Sequence, residues 1–456
     1  MNEENAIALL KKAYSCFLSG DIDGYRQRME QAKAAIDAQP ARGAAYGELL
    51  LVSAPFRFTD LDKLLPLYEE AAHYIEGQSR VLPRGTEFFW DYYNPLTICN
   101  PTPGHMEKNT DKLGKAVKLF YRLTGGGMGT DVCYQAQLAY FRGEADRARK
   151  LAREAFETAV LYGQELTALC AAETLARIAM HSPDGSLWQF AYGHICRTAS
   201  EGVSRACREY AQVYLAEMNL ALGLLQTVPD WIKNGDFGAV SAPWGHRIVG
   251  DKLCHGVLPD ALIAQMEYFS YSGSPIAALN AADMAQKVYG INYIIVNAHL
   301  DFFRAGCYLQ LNDLENTKAA LARAVNAIAP DGLWLIAAVF APAFGELLYE
   351  AAQPYGNGAQ RICEIGAGFW NKLAHIRGKM ADSTPKCLTK RQEEVLSLLS
   401  SGKSNTWIAR QLSISEATLK THIRHIYEEL NVSNRDELLE AMRNYHAIEF
   451  AFWASN

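Results

Sequence analysis

Residues Ser413 to Leu430 read SISEATLKTHIRHIYEEL. Wound at about 100° per residue, Leu419, Ile423, Ile426 and Leu430 fall in one narrow sector, the spacing of a face turned to a core. Ala417, Lys420, Thr421 and Arg424 fall on the opposite side, with Lys420 and Arg424 one turn apart and stacked. Ser415 is a good N-cap, because its hydroxyl can accept from an otherwise unpaired backbone N–H. Ser413 with Glu416 forms a rival capping box, so two helix starts remain open. An ordinary surface helix would show similar stripes, and the flanking sequence has to decide.

Upstream stands LTKRQEEVLSLLSSGKSNTWIARQL, residues 388 to 412. Thr389 and Gln392 make a capping box, and Val395, Leu396 and Leu399 make an apolar face. Gly402 can close that helix in a left-handed conformation. Ser404 then caps a short helix that turns Ile408, Ala409 and Leu412 inward. Two short helices joined by a tight turn, the second with a polar basic face, form a helix-turn-helix. Small Ala409 suits their close crossing. Downstream, Ser433 or Asn434 can cap a fourth helix with Leu438, Leu439 and Met442 on one side.

This stretch resembles the LuxR-type DNA-binding domain of bacterial transcription regulators. The landmarks are Leu388-Thr389, Arg391, Glu394-Val395-Leu396, Gly402, Ser404-Asn405, Ile408-Ala409, Leu412, Ser415, Thr418, Lys420, His422, Leu430, Val432 and Asn434-Arg435. Lys390, Trp407, Leu419 and Asn431 depart from the family's usual Pro, Glu, Val and Gly, and none of them lies on the exposed stripe. The resemblance covers about an eighth of the chain. It implies that the helix after the turn lies in the major groove of double-stranded DNA, with Lys420, Thr421 and Arg424 facing the bases. Lys and Arg donate to guanine O6 and N7, and a Thr methyl meets the thymine methyl. Ser404, Asn405, Thr418, His422 and His425 would contact phosphate, which fixes register rather than sequence. His422 also suits simple packing at the edge of the apolar face. His422 and His425 are too isolated for a metal pair. Leu438, Leu439 and Met442 would form either a dimer contact, as the family's last helix often does, or plain domain core.

Residues 385 to 445 hold nine Lys/Arg against eight Asp/Glu. The basic residues Lys390, Arg391, Lys403, Arg410, Lys420 and Arg424 precede or line the reading helix, and the acids Glu428, Glu429, Asp436, Glu437 and Glu440 follow it. Such weak net attraction predicts low, salt-dependent non-specific affinity per domain. A homodimer on two half-sites would restore occupancy through effective concentration.

The rest of the 456-residue chain carries 35 Lys/Arg against 42 Asp/Glu and is no second nucleic-acid surface. Ten scattered cysteines without a CxxC, many in apolar runs, fit buried thiols in a reducing, cytoplasmic setting. The start MNEENAIALLKKAY is no signal peptide. The apolar run Gly332 to Gly345 contains Pro342, is too short to span a bilayer and reads as a buried helix, so no membrane partner is expected. Period-3.6 patterns dominate, which gives an all-α fold.

Several turns share one shape: Leu18 to Ala32, Phe58 to Ala71, Phe141 to Ala155, Tyr271 to Gln286 and Leu309 to Ala324. Each ends one helix, places a small or polar turn, and starts a second helix rich in Ala and Leu. Ser274-Pro275 supplies a cap and a first-turn proline. Ile276 precedes Leu314 by 38 residues and Leu61 follows Ile22 by 39, within the period of about 34 to 47 at which helical hairpins stack into solenoids. The stretch is similar to tetratricopeptide-like repeats without their full consensus, its register is open between residues 177 and 273, and an irregular helical bundle is the competing reading.

Repeats followed by a LuxR-type domain are similar to the C-terminal part of maltose-regulator-like ATPase regulators. The ATPase motif GxxxxGK[ST] is absent: Ser397 stands where the Gly preceding Gly402-Lys403-Ser404 would be. LTGGGMGTD at Leu123 to Asp131 has no following Lys to reach a phosphate and reads as a flexible loop. HExxH and GxSxG are also absent, so neither a cofactor nor an enzyme is expected.

Of two irregular segments, Thr86 to Gly104 packs five aromatics and Asp236 to Leu253 brings in Trp244, His246 and Arg247. Trp90, Tyr92, Tyr93 and Trp244 would either line an effector or partner site on the concave side or plug the superhelix. The expected organisation is a repeat region at 1–380, a linker at 381–386 around Pro385, the helix-turn-helix domain at 387–446 and a tail at 447–456. The expected function is a DNA-binding transcription regulator, with RNA polymerase as a further partner if it activates. The alternative is a protein-interaction scaffold that uses the helix-turn-helix for docking, against which the polar Lys420, Thr421 and Arg424 argue.

Overall fold

The computed structural model describes residues 3–57, 60–88, 94–100, 102–180, 185–202, 204–237, 247–249, 252–254, 258–289, 293–366, 390–400, 404–429, 434–435 and 437–438. The described residues are helical apart from turns and one antiparallel hairpin, Arg247–Val249 with Lys252–Cys254, which pairs Arg247 with Cys254. The hairpin lies at the end of the second irregular segment. The linker at 381–386 and the tail at 447–456 fall outside the described residues.

Helices pair as hairpins: Glu3–Ser19 with Ile22–Asp37, Thr130–Phe141 with Ala145–Leu161, Leu258–Tyr271 with Pro275–Tyr289, and Ile294–Gln310 with Leu314–Ile328. The turns repeat one hydrogen-bond pattern. Gly20, Gly143, Gly163, Gly223, Gly273 and Asn312 take left-handed φ of 60° to 81°. In each, that residue's N–H reaches the carbonyl three back and the next N–H reaches the carbonyl five back. Examples are Gly143 to Tyr140 and Glu144 to Ala139, both 2.9 Å, and Asp313 to Tyr308, also 2.9 Å. This pairing satisfies the last carbonyls of the first helix. A side chain at such φ is strained, so glycine dominates there. Asp21 and Asp313 then cap the following helices, accepting from Gly24 at 2.9 Å and Asn316 at 3.1 Å.

Between residues 177 and 273 the pairing continues through Glu165–Ala179, Gly185–Glu201 and Arg205–Ala221. There the rhythm breaks. Among the described residues, Arg205–Ala221 is followed by a 3-10 turn at Leu225–Thr227, the short helix Asp230–Lys233 and the hairpin, and Leu258–Tyr271 packs directly on Arg205–Ala221.

Two apolar clusters fill the arm. One gathers residues from 6 to 138 together with residues from 262 to 362, and the other lies between 133 and 264 and includes Leu335. The first and last helices of the arm therefore share a core. Polar ties reinforce this closure. The buried Asp331 carboxylate accepts from the N–H groups of Gly104, at 2.6 Å, and Met106, at 3.0 Å, while its carbonyl accepts from Arg142 Nε at 3.0 Å.

Two expectations need correction. The run Gly332 to Gly345 is buried from Leu333 to Ala338 but exposed at Pro342 and Ala343, and it forms two short helices, Trp334–Ala338 and Ala341–Phe344, because Pro342 starts a new helix. The Gly-rich turn at 123–131 is packed rather than loose. Gly127 N–H donates to Gln164 Oε1, and a Cβ on Gly126 would meet the Thr86 carbonyl oxygen at 2.1 Å. Its glycines serve left-handed φ and close backbone approach.

Among the described residues no helix is long and apolar enough to cross a membrane. Cys16, Cys99, Cys133, Cys170, Cys196, Cys207, Cys307 and Cys363 are free, and most of them are buried.

Candidate nucleic-acid interface and arm cavity

Three helices, Lys390–Ser400, Asn405–Gln411 and Glu416–Glu429, build the C-terminal unit. Their core is Val395, Leu399, Ile408, Ala409, Leu419, Ile423 and Ile426, with Leu438 from the following turn. Leu430 lies outside the described residues.

The turn between the second and third helices resolves the two competing caps. Ser413 adopts φ 54°, with its N–H on the Arg410 carbonyl at 3.1 Å and the Ile414 N–H on the Ala409 carbonyl at 3.0 Å. Ser413 thus closes the second helix, in the pattern already seen throughout the arm. Ser415 caps the third, its hydroxyl accepting from the Thr418 N–H at 3.0 Å and lying 2.8 Å from the Thr418 hydroxyl. Ser404 caps the second helix through the Trp407 N–H at 3.3 Å. Arg391 clamps the turn from the first helix by donating to the Leu412 carbonyl.

With Leu419, Ile423 and Ile426 buried, Lys420, Thr421 and Arg424 are exposed together on the other side of the third helix. The Thr421 hydroxyl donates to the Ala417 carbonyl at 3.1 Å, so the methyl is the group this residue offers outward. Ser404, Asn405 and Thr418 are exposed at the N-terminal ends of the second and third helices, where unpaired N–H groups and the helix dipole favour anions. His422 and His425 are both half-buried, which places His425 closer to the core than the helical wheel suggests. Asn434 caps the next turn, its side chain accepting from the Glu437 N–H at 2.9 Å. Leu438 is fully buried in the domain's own core, on the packing side of its two readings. Leu439 and Met442 lie outside the described residues.

The aromatic residues singled out for the arm, Trp90, Tyr92, Tyr93 and Trp244, also lie outside the described residues. Their neighbour Phe88 is core, packed on Tyr68 and Phe120. The arm does contain a cavity of about 130 Å³. Thr130–Phe141, Glu165–Ala179, Arg205–Ala221, Leu258–Tyr271 and Ile294–Gln310 all contribute to its wall. These are inner helices of successive pairs. The outer helices Ala145–Leu161, Gly185–Glu201, Pro275–Tyr289 and Leu314–Ile328 contribute nothing.

Its charged residues are Glu173, Glu217, Asp260 and Glu267 against Arg177 and His299. Arg177 bridges Glu173 and, at 2.7 Å, Glu217, and His299 Nε2 lies 2.6 Å from Glu267. Burial pushes the Glu217 carboxyl well above the usual range. Arg177 opposes that shift, while Glu267, Asp260 and Glu173 reinforce it. The sequence carried a partial signal for this cluster: Glu173 and Arg177, one turn apart, interrupt an otherwise apolar stretch, LCAAETLARIAM at Leu169 to Met180.

Residues 386–442 match the family of bacterial regulatory proteins described as the luxR family. The chain is similar, over short spans, to regulators of two kinds. One is the HTH-type transcriptional regulator MalT of Vibrio campbellii, 46% identical over 57 residues, which are 12% of this chain and 6% of that protein. MalT of Serratia proteamaculans is 45% identical over 94 residues, 18% of this chain and 10% of that protein. The other is the monoamine regulon transcriptional regulator of Klebsiella aerogenes, 45% identical over 58 residues, 13% of this chain and 26% of that protein. The match thus covers a small part of each relative. The chain carries a LuxR-family helix-turn-helix at its C-terminal end, behind a large all-helical region.

Proposed function

We propose that this protein is a sequence-specific DNA-binding transcription regulator, acting in the cytoplasm, in which the helical arm governs the helix-turn-helix domain. The observation that carries the reading is the joint exposure of Lys420, Thr421 and Arg424 on the helix after a correctly capped turn. Lys420 and Arg424 would donate to guanine edges and Thr421 would offer its methyl to thymine. Ser404, Asn405 and Thr418, with His422 and His425 beside them, would hold phosphates and set the register. Near-balanced charge in this domain favours binding as a homodimer on paired half-sites. The arm would receive an effector or partner, and an activating regulator would also meet RNA polymerase.

The test is fluorescence anisotropy of the full chain on genomic fragments, including its own upstream region, at two salt concentrations. Selective, salt-sensitive binding should weaken at least about tenfold in the Lys420→Ala/Arg424→Ala double variant. Equal binding by the variant would defeat the base-reading role.

One observation favours a second reading, that of a docking module in a scaffold. Trp407 on the second helix is 41% exposed, and large exposed aromatics anchor protein interfaces. If no fragment binds selectively while Trp407→Ala abolishes a protein complex, this second reading takes over.

A further inference from the structure

We propose that Arg391 and Arg435 are positioning residues for base reading: each ties one end of the reading helix Glu416–Glu429 to the first helix of its domain, and together they set the angle at which that helix meets DNA. The inference rests on the DNA-reading function proposed above and names two residues through which that reading would be made selective.

The two ties are geometrically alike. Arg391 stands in the first turn of Lys390–Ser400, and its Nη2 donates to the carbonyl of Leu412, three residues before the Ser415 cap of the reading helix. Its Nη1 donates to exposed Glu394, one turn on, which steadies the guanidinium. Arg435 stands six residues beyond Glu429, and its Nη2 donates back to the Leu399 carbonyl at 2.8 Å. Leu412 is the C-cap residue of Asn405–Gln411, and Leu399 lies in the last turn of Lys390–Ser400. Carbonyls at such places have no partner inside their own helix. Each guanidinium therefore satisfies an orphan group while it joins two elements.

The core alone does not fix the angle. Val395, Leu399, Ile408, Leu419, Ile423 and Ile426 bury apolar surface, and that attraction has no direction. Base reading does have one: paired donors must line up with O6 and N7 of the same guanine. Such constellations work only when held to within about 0.5 Å. Lys420, Thr421 and Arg424 stand between the two ties in the chain, and hydrogen bonds, which are directional, hold both ends of their helix against a tilt. Charge counting would send both arginines to phosphate. Their partners place them elsewhere: both are half-buried, Arg391 on Leu412 and Glu394, and Arg435 on Leu399.

The test takes the full chain with lysine and with glutamine at each position, since lysine keeps the charge and loses the planar fork. Anisotropy is measured on the genomic fragment that wild type selects and on a random duplex, across a salt series, and hydrogen exchange is followed by mass spectrometry. Each lysine variant should bind the selected fragment at least about tenfold more weakly, with random-duplex affinity and its salt slope at the wild-type values. Exchange should quicken over residues 413–418 in the Arg391 variants and 424–429 in the Arg435 variants, while Ile408 and Ala409 stay protected and show that the domain is folded. Should a lysine variant lose that protection, Glu394→Gln decides: it loosens the Arg391 guanidinium on an exposed face and should weaken selected binding alone. Selected binding unchanged in the folded variants would reduce the ties to ordinary fold contacts and overturn the proposal. Wild-type behaviour with lysine, joined to a salt slope flatter by about 0.9 with glutamine, would make the arginines phosphate contacts instead. Wild type that selects no fragment defeats the DNA-reading function and this assignment with it, whereas selectivity kept by every variant defeats the assignment alone.

Discussion

The Asp331 carboxylate accepts from the backbone N–H of Met106, which precedes it by 225 residues. Helix Met106–Thr124 has no side-chain cap of its own at His105, so a residue from the far end of the arm caps it. Asp331→Ala would strand the buried N–H of Met106 and remove the partner of the N–H of exposed Gly104. We expect a loss of about 2–3 kcal/mol, with Asp331→Asn in between because an amide oxygen still accepts. Urea unfolding measures this, and an unchanged midpoint in the alanine variant would mean that the tie is not formed.

The occupied hydroxyl of Thr421 separates its two contributions. Thr421→Val keeps the methyl and should keep the base preference, whereas Thr421→Ala should cost about 0.8 kcal/mol at thymine positions. Binding to operator variants with uracil in place of thymine reads the same methyl from the DNA side. Equal loss in both protein variants would assign the effect to the hydroxyl.

Ser413 sits at φ 54° without the freedom of glycine. Ser413→Gly should stabilise the turn by about 0.5–1 kcal/mol, seen as slower hydrogen exchange at Ser413 and Ile414. Faster exchange there would show that the serine earns its place through its side chain.

His194 Nε2 is buried without a hydrogen-bond partner, and the ring meets Phe156 edge-on at 4.8 Å. Burial, helped by Arg197, lowers its pKa to about 3, against about 6.5 in the unfolded chain. Between those values the unfolded state binds the extra proton, so stability is fully present above about pH 6.5 and falls as pH drops toward 3, by at most about 1.4 kcal/mol per pH unit. His194→Phe should flatten this part of the profile in melts taken from pH 7 to pH 4. A slope unaltered by that change would place the acid sensitivity elsewhere.

The helix-turn-helix was legible because its information is local. Caps, apolar spacing and the exposed stripe lie within about fifty consecutive residues and follow from helix geometry alone. The Ser413 and Ser415 alternatives stayed open because a left-handed φ on serine is not written in the residue type. Helix pairing was legible for a similar reason, since Gly or Asn followed by a small polar or acidic residue marks the turns at Gly20, Gly143, Gly273 and Asn312. Closure of the arm was not. Asp331 reads as one acid in a turn, and nothing near it names Met106. The cavity was equally hidden: Glu173, Glu217, Asp260 and Glu267 come from three helices, and only Glu173 and Arg177, one turn apart, meet within a single stretch. The chosen aromatics drew attention to loops, whereas the converging charges stand on inner helices.

The core shared by the two ends of the arm also sets a clock. Residues 6 to 138 cannot complete their packing until residues 262 to 362 exist. At about 5–20 residues per second of synthesis, the interval between Met106 and Asp331 lasts about 10–45 s. The middle cluster draws almost entirely on residues 133 to 264, so it can consolidate during that wait. The first of these helices emerge from the ribosome before their partners and finish folding late, and it is in this interval that their apolar faces are open to chaperones and to neighbouring chains.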